Sequence, residues 1–139
     1  MSSGERSPSG AADRLRLVAE ALAAYAHARW YLLRQDLPTA VSRVRARAQR
    51  LSARPVPIKD DPQRLVSATV RILDCLPADS RCLMRSLVVL GVLARRGVET
   101  SLIIGVDLEH GFAAHAWVER EGVALLPAGT FVAGRLTSL

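Results

Sequence analysis

Cys82 and His115 are the two side chains in this sequence whose types and settings suit covalent chemistry together. Cys82 opens "CLMRSLVVLGVLARRG", which has the apolar spacing of a helix, and His115 opens "HAWVE", which reads as part of a strand. A thiol attacks a carbonyl only as its thiolate. A helix N-terminus supplies partial positive charge and free N–H groups that stabilise such an anion. The same groups can hold a substrate oxyanion, so Leu83, Arg85 and Ser86 of this first turn are candidates for supporting the reaction. Arg81 and Arg85 add positive charge if their side chains turn inward. The base must be an imidazole from elsewhere, because the members of a Cys-His dyad meet in space rather than in sequence. Ala114 and Ala116 flank His115 and leave room for a helix end to approach. The bland alternative is an inert core cysteine and a structural strand histidine. Cys75, at the end of an apolar helix stripe, suits that description better. His27 lies among alanines and His110 in a turn beside Glu109, and neither has a thiol nearby in sequence.

Helices and strands must bring the pair together. Residues 13–35 read as a helix capped by Asp13, with Leu15, Val18, Leu22 and Tyr25 at spacings of three and four. After a turn at Asp36 and Pro38, residues 38–52 read as a second helix. Val41, Val44, Ala48 and Leu51 make its apolar stripe, and Arg43, Arg45, Arg47 and Arg50 occupy the rest. Residues 13–54 therefore read as a basic helical hairpin. "ARPVPIKDDP" (53–62) is a Pro-broken linker, and Asp61-Pro62 has the form of an N-cap and first helical residue. Leu65, Val66, Thr69, Val70 and Leu73 carry a third helix to about Cys75. "LPADS" interrupts. The fourth helix starts near Ser80 or Cys82, carries Leu83, Leu87, Leu90 and Leu93, and stops at Gly97. The composition then switches. "VETSLIIGV" (98–106), "FAAHAWVER" (112–120) and "VALLP" read as three strands, with "DLEHG" and Glu121-Gly122 as turns. Helices first and a small antiparallel sheet afterwards make an α+β fold.

The length of 139 residues, half of them apolar, fits one globular domain. Residues 1–12 read as a disordered polar tail, and 55–139 as a core forming one compact unit with the hairpin. No apolar run reaches the roughly 18 residues that span a bilayer. The N-terminus lacks the charged-then-apolar order of a secretory signal, so a cytoplasmic location is the default. There the cysteines stay reduced, and the absence of a CxxC pair argues against a zinc site. Residues 1–54 hold ten Arg and four acids, a net charge of +6, whereas the remainder is neutral. That asymmetry points to an anionic partner, or to a solvated arginine face. Aromatics make up only 4% and no nucleic-acid motif is present, which argues against a nucleic-acid partner.

"CLMRSLVVLGVLARRGVETSLIIGV…FAAHAWVE" resembles the transglutaminase-like leader peptidases of lasso-peptide biosynthesis. The likeness rests on Cys82, Leu83, Ser86, Leu87, Gly97, Gly105, Val106 and residues 115–119, and extends over roughly 14–126. It implies a papain/transglutaminase-like core over 55–139, with a small antiparallel sheet packed on the nucleophile-bearing helix. It implies that Cys82 attacks the carbonyl joining leader to core in a ribosomally made precursor, with His115 as base. A separate cyclase then closes the ring, and no cofactor or metal is implied. No winged-helix-sized segment precedes residue 13, as in the split form of the family. A leader-recognition protein is then expected in trans, with Arg43, Arg47 and Arg50 as a docking surface for it or for the leader. The family's Asp downstream of the His has no counterpart in "VALLPAGTFVAG", and the chain contains no Asn. Glu119, on the same strand face as His115, is the nearest carboxylate to orient the ring. A backbone carbonyl, Thr130 or a water are the other candidates. Two further functions compete. One is a non-catalytic scaffold of the same fold, bridging recognition protein and cyclase. The other is a transglutaminase-like acyltransferase, in which an amine replaces water.

Overall fold

The computed structural model describes residues 9–51, 62–76, 82–107, 113–125 and 134–139. The elements are α1 (Ser9–Arg34), α2 (Leu37–Leu51), α3 (Pro62–Asp74), α4 (Cys82–Arg95), β1 (Ser101–Asp107), β2 (Ala113–Arg120), β3 (Val123–Ala124) and β4 (Gly134–Ser138). The α+β architecture expected from the pattern is the one found. α1 starts ahead of Asp13, because Ala11 and Ala12, the best helix formers, extend it back to Ser9. The expected disordered tail is therefore helical over 9–12, and its first eight residues lie outside the described ones. So do Asp61 with most of the linker, Arg81, and most of the "LPADS" break and the "DLEHG" turn. Among the described residues no helix is long and apolar enough to cross a membrane.

α4 is the hub. α1, α2, α3, β1 and β2 all pack on it. Its residues Ser86–Leu93 are buried on every side, so the expected leucine stripe is instead apolar all round, with Val88, Val89 and Val92 as buried as the leucines. At Gly91, α2 approaches closely. A Cβ there would stand 3.2 Å from Val44 Cγ1, tighter than ordinary contact. α4 ends as its sequence suggests. Gly97 takes φ 77°, Val98 N–H donates to Leu93 O, and Gly97 N–H donates to Ala94 O, both at 3.0 Å. That stop turns the chain directly into β1.

In α2, Ala40, Val41, Val44 and Ala48 are buried. Leu51, expected in that stripe, is exposed, since it is the last residue of the helix. Arg45 also departs from the expected basic face. It is partly buried and donates to the carbonyls of Thr100 at 2.7 Å and Leu139 at 2.9 Å. It ties the hairpin to the sheet.

The sheet has four strands in the order β3-β2-β1-β4, all neighbours antiparallel. β1 and β2 pair from Ser101↔Glu119 to Asp107↔Ala113. Glu121 (φ 52°) and Gly122 (φ 81°) both take the left-handed conformation that a tight hairpin turn requires. The third strand is only Val123–Ala124, shorter than "VALLP". The fourth strand has no counterpart in the sequence reading. "GRLTS" is too short to show periodicity, and its partner β1 is distant in sequence. A bulge between Ile104 and Gly105 breaks the β1–β4 register next to the position facing His115.

Candidate active site

α4 begins at Cys82, so the thiol sits on the first turn, where the helix's N–H groups have no carbonyl partner within the helix. Ser86 is fully buried, and its Oγ donates to Cys82 O at 2.7 Å. The hydroxyl therefore braces the first turn through the backbone and makes no demand on the thiol. Leu83 packs against the core cluster that contains Leu87, Val41 and Ala28, so its backbone N–H is the part suited to a ligand. Arg85 pairs with Asp74 at the end of α3, which takes up part of the charge expected to bear on the thiol.

His115 lies on β2, directly across from Gly105 of β1. The strand neighbour on the imidazole's own face thus has no side chain, which adds to the room left by Ala116. Cys82 and His115 line one cavity of about 510 Å³. Its far wall is α3, through Gln63, Val66, Ser67, Val70 and Arg71, with Arg85, Ala116 and Leu125 completing the described lining. Gln63 Nε2 donates to Leu125 O at 3.1 Å and so joins α3 to the end of β3 across the cavity's edge. The α3 wall was missed from sequence, although Gln63, Ser67 and Arg71 recur every four residues along one helix face.

Glu119 is placed differently from the expectation. Its Oε1 accepts the Trp117 indole N–H at 2.9 Å, and the residue lines a second cavity, with Arg45, Thr100 and Ser101, rather than the one that holds His115. Trp117 is buried and lies beside His115, with ring centroids 6.1 Å apart and planes inclined by 29°. His115, Trp117 and Glu119 thus run along one face of β2, with the indole between imidazole and carboxylate. Thr130 lies outside the described residues. Arg43 and Arg50 are exposed and Arg47 is half-buried on α2, away from the cavity. No cluster of three metal-ligating side chains occurs among the described residues.

Cys75 corrects another expectation. It is exposed at the turn after α3, rather than part of the core, whereas Cys82 is half-buried. Exposure alone would make Cys75 the faster thiol. We expect iodoacetamide to label Cys82 first in the native protein, because a helix N-terminus favours the thiolate, the form that is alkylated. Peptide mapping after brief labelling measures the order, and faster modification of Cys75 would mean that the α4 terminus does not activate Cys82.

One cavity is thus lined by a helix-borne thiol and a strand-borne imidazole. Residues 24–132 match the transglutaminase-like superfamily, and the chain belongs to it. The match contains both Cys82 and His115. Enzymes of this superfamily are in general cysteine peptidases or acyltransferases. Neither a curated protein nor a solved structure gives a significant match.

Proposed function

We propose that this protein is a cysteine peptidase that removes the leader from a ribosomally made lasso-peptide precursor. The shared cavity of Cys82 and His115 carries the chemical part of this reading. The likeness of "CLMRSL" and "HAWVE" to the lasso leader peptidases supports the substrate. Cys82 Sγ forms a bond to the carbonyl carbon at the leader–core junction, while the thiol proton passes to His115. The oxyanion rests on the backbone N–H groups of the first turn of α4. The C–N bond breaks as His115 returns the proton to the leaving amine of the core. Water then attacks the thioester, His115 takes its proton, and the leader leaves as a carboxylate with the thiol restored. Trp117 is a positioning residue: its indole faces the imidazole and is itself held by Glu119.

The precursor, a leader-recognition protein in trans and this chain, mixed and analysed by mass spectrometry, test the reading. The expected products are free leader and free core. An uncut precursor, with all components folded and the recognition protein bound, would support the scaffold between recognition protein and cyclase instead. Products with an amine joined to the leader's carboxyl end would support an acyltransferase.

Arg43, Arg47 and Arg50 form the proposed docking surface for the leader or its recognition protein. Reversing all three to Glu is expected to weaken binding about tenfold or more in low salt and to flatten its salt dependence. Turnover of bound precursor should stay near the wild-type value. Calorimetry across a salt series reads this, and unchanged affinity would leave these residues as solvated charges only.

A further inference from the structure

We infer that the outer face of α1 is a docking seam for an acidic amphipathic helix of a partner protein. α1 packs inward through alanines and the half-buried Leu17, Tyr25, Tyr31 and Leu32, yet it also carries large apolar residues on its outer side. Its buried positions are the small residues Ala21, Ala24 and Ala28, whereas Leu15, Leu22, Trp30 and Leu33 are exposed, at 71%, 40%, 54% and 76%. On the 3.6-residue period these four fall on one side of the helix, with the exposed Ala19 and Ala26 between them. The stripe runs for about 27 Å at 1.5 Å per residue. Large apolar side chains left in water along one continuous line mark an interaction surface rather than scattered surface residues.

The spacing names the geometry of the occupant. Leu15, Ala19, Leu22, Ala26 and Leu33 follow the four-three alternation of a heptad seam; Arg29 holds the remaining position, at the seam's edge, and Trp30 lies one step beyond it. Leucines alternate with alanines, so knobs alternate with hollows. Hollows of this kind receive side chains from another helix. They would gain little from a lipid surface, because an alanine buries little area there.

The edges name its charge. Exposed Arg29 borders one side of the stripe, and exposed Arg16 and Arg34 the other. Arg34 lies over the Trp30 ring, 3.9 Å from its centroid. Among the described residues no acid answers them on this face. Glu20 of α1 is turned inward, where Arg96 donates to it at 2.7 Å. A second copy of the same face would set arginine against arginine. A helix with an apolar seam and acidic borders satisfies both the hollows and the charges. This inference does not depend on the peptidase reading.

A synthetic helical peptide with leucine at heptad positions a and d and glutamate at e and g is the probe, and its lysine-bordered twin is the control. The folded chain should bind the acidic peptide, shifting the emission of exposed Trp30 to the blue while buried Trp117 changes little. Leu22→Glu and Leu33→Glu, both at exposed positions, should each weaken binding by about tenfold or more, with unchanged circular dichroism. Arg29→Glu with Arg34→Glu should reverse the preference toward the lysine twin. Equal affinity for both peptides, or no binding of either, overturns the inference. So does a Trp30 shift on phosphatidylglycerol vesicles without one on the acidic peptide, which would make the seam a membrane contact. Dimerisation of the chain alone that Leu22→Glu abolishes would assign the seam to a second copy.

Discussion

Cys82→Ala is expected, on the proposed peptidase reading, to leave the leader attached to its precursor, with turnover down by at least about four orders of magnitude, because loss of a nucleophile removes the covalent route altogether. The substitution should cost the fold little, on the order of 1 kcal/mol or less. The thiol is half-buried at the rim of an apolar cluster rather than in its centre. The bond that braces the turn, Ser86 Oγ to Cys82 O, uses the backbone and survives the change. A denaturation midpoint close to wild type, together with lost cleavage in the mass spectrum, is the expected pair of results. Cys75→Ala supplies the comparison. Its thiol is exposed on the turn after α3 and is absent from the cavity lining, so that variant should retain nearly all activity. Equal loss in both folded variants would remove Cys82 from its role.

The helices and the head of α4 were legible because local signals agreed with tertiary demands. Pro62 and Gly97 punctuate α3 and α4, the stripe of α2 marks its buried side, and Glu121-Gly122 has the residues that its turn requires. What was lost depended on contacts between distant segments. β4 is a strand because β1 offers it an edge, and no pattern within "GRLTS" announces that partner. Arg45 read as one more surface arginine until the carbonyl of Thr100 came within reach. Cys75 continued an apolar stripe in sequence, yet α3 ends at Asp74, and the residue beyond a helix end escapes the packed face. In the site, Cys82 and His115 could be singled out because a helix start and a strand midpoint are local features. The α3 wall and the indole between His115 and Glu119 could not, since alternation shows which residues share a face but not what stands between them.

His115→Ala is expected to match Cys82→Ala in severity, and the double variant should be no worse than either single one. Members of a catalytic unit fail together, so their losses do not add. Additive losses in single-turnover assays would mean that the two residues act separately. The more discriminating measurement concerns what steadies the imidazole. If Glu119 acts by holding Trp117, its oxygen matters and its charge does not. Glu119→Gln keeps an amide oxygen where Oε1 now accepts the indole N–H, so turnover should fall by no more than about twofold. Glu119→Leu leaves that N–H without its acceptor, and turnover should fall about tenfold, as expected when one hydrogen bond worth roughly 1.4 kcal/mol is lost from the supporting structure. Trp117→Phe keeps an aromatic face beside His115 but has no N–H to donate. Combining it with Glu119→Leu should therefore be no worse than Trp117→Phe alone. A loss of about a hundredfold or more in Glu119→Gln would point elsewhere: the carboxylate's charge would itself be needed, as it is for the acid of a catalytic triad. The indole would then carry that charge's influence to the imidazole rather than simply fix its place.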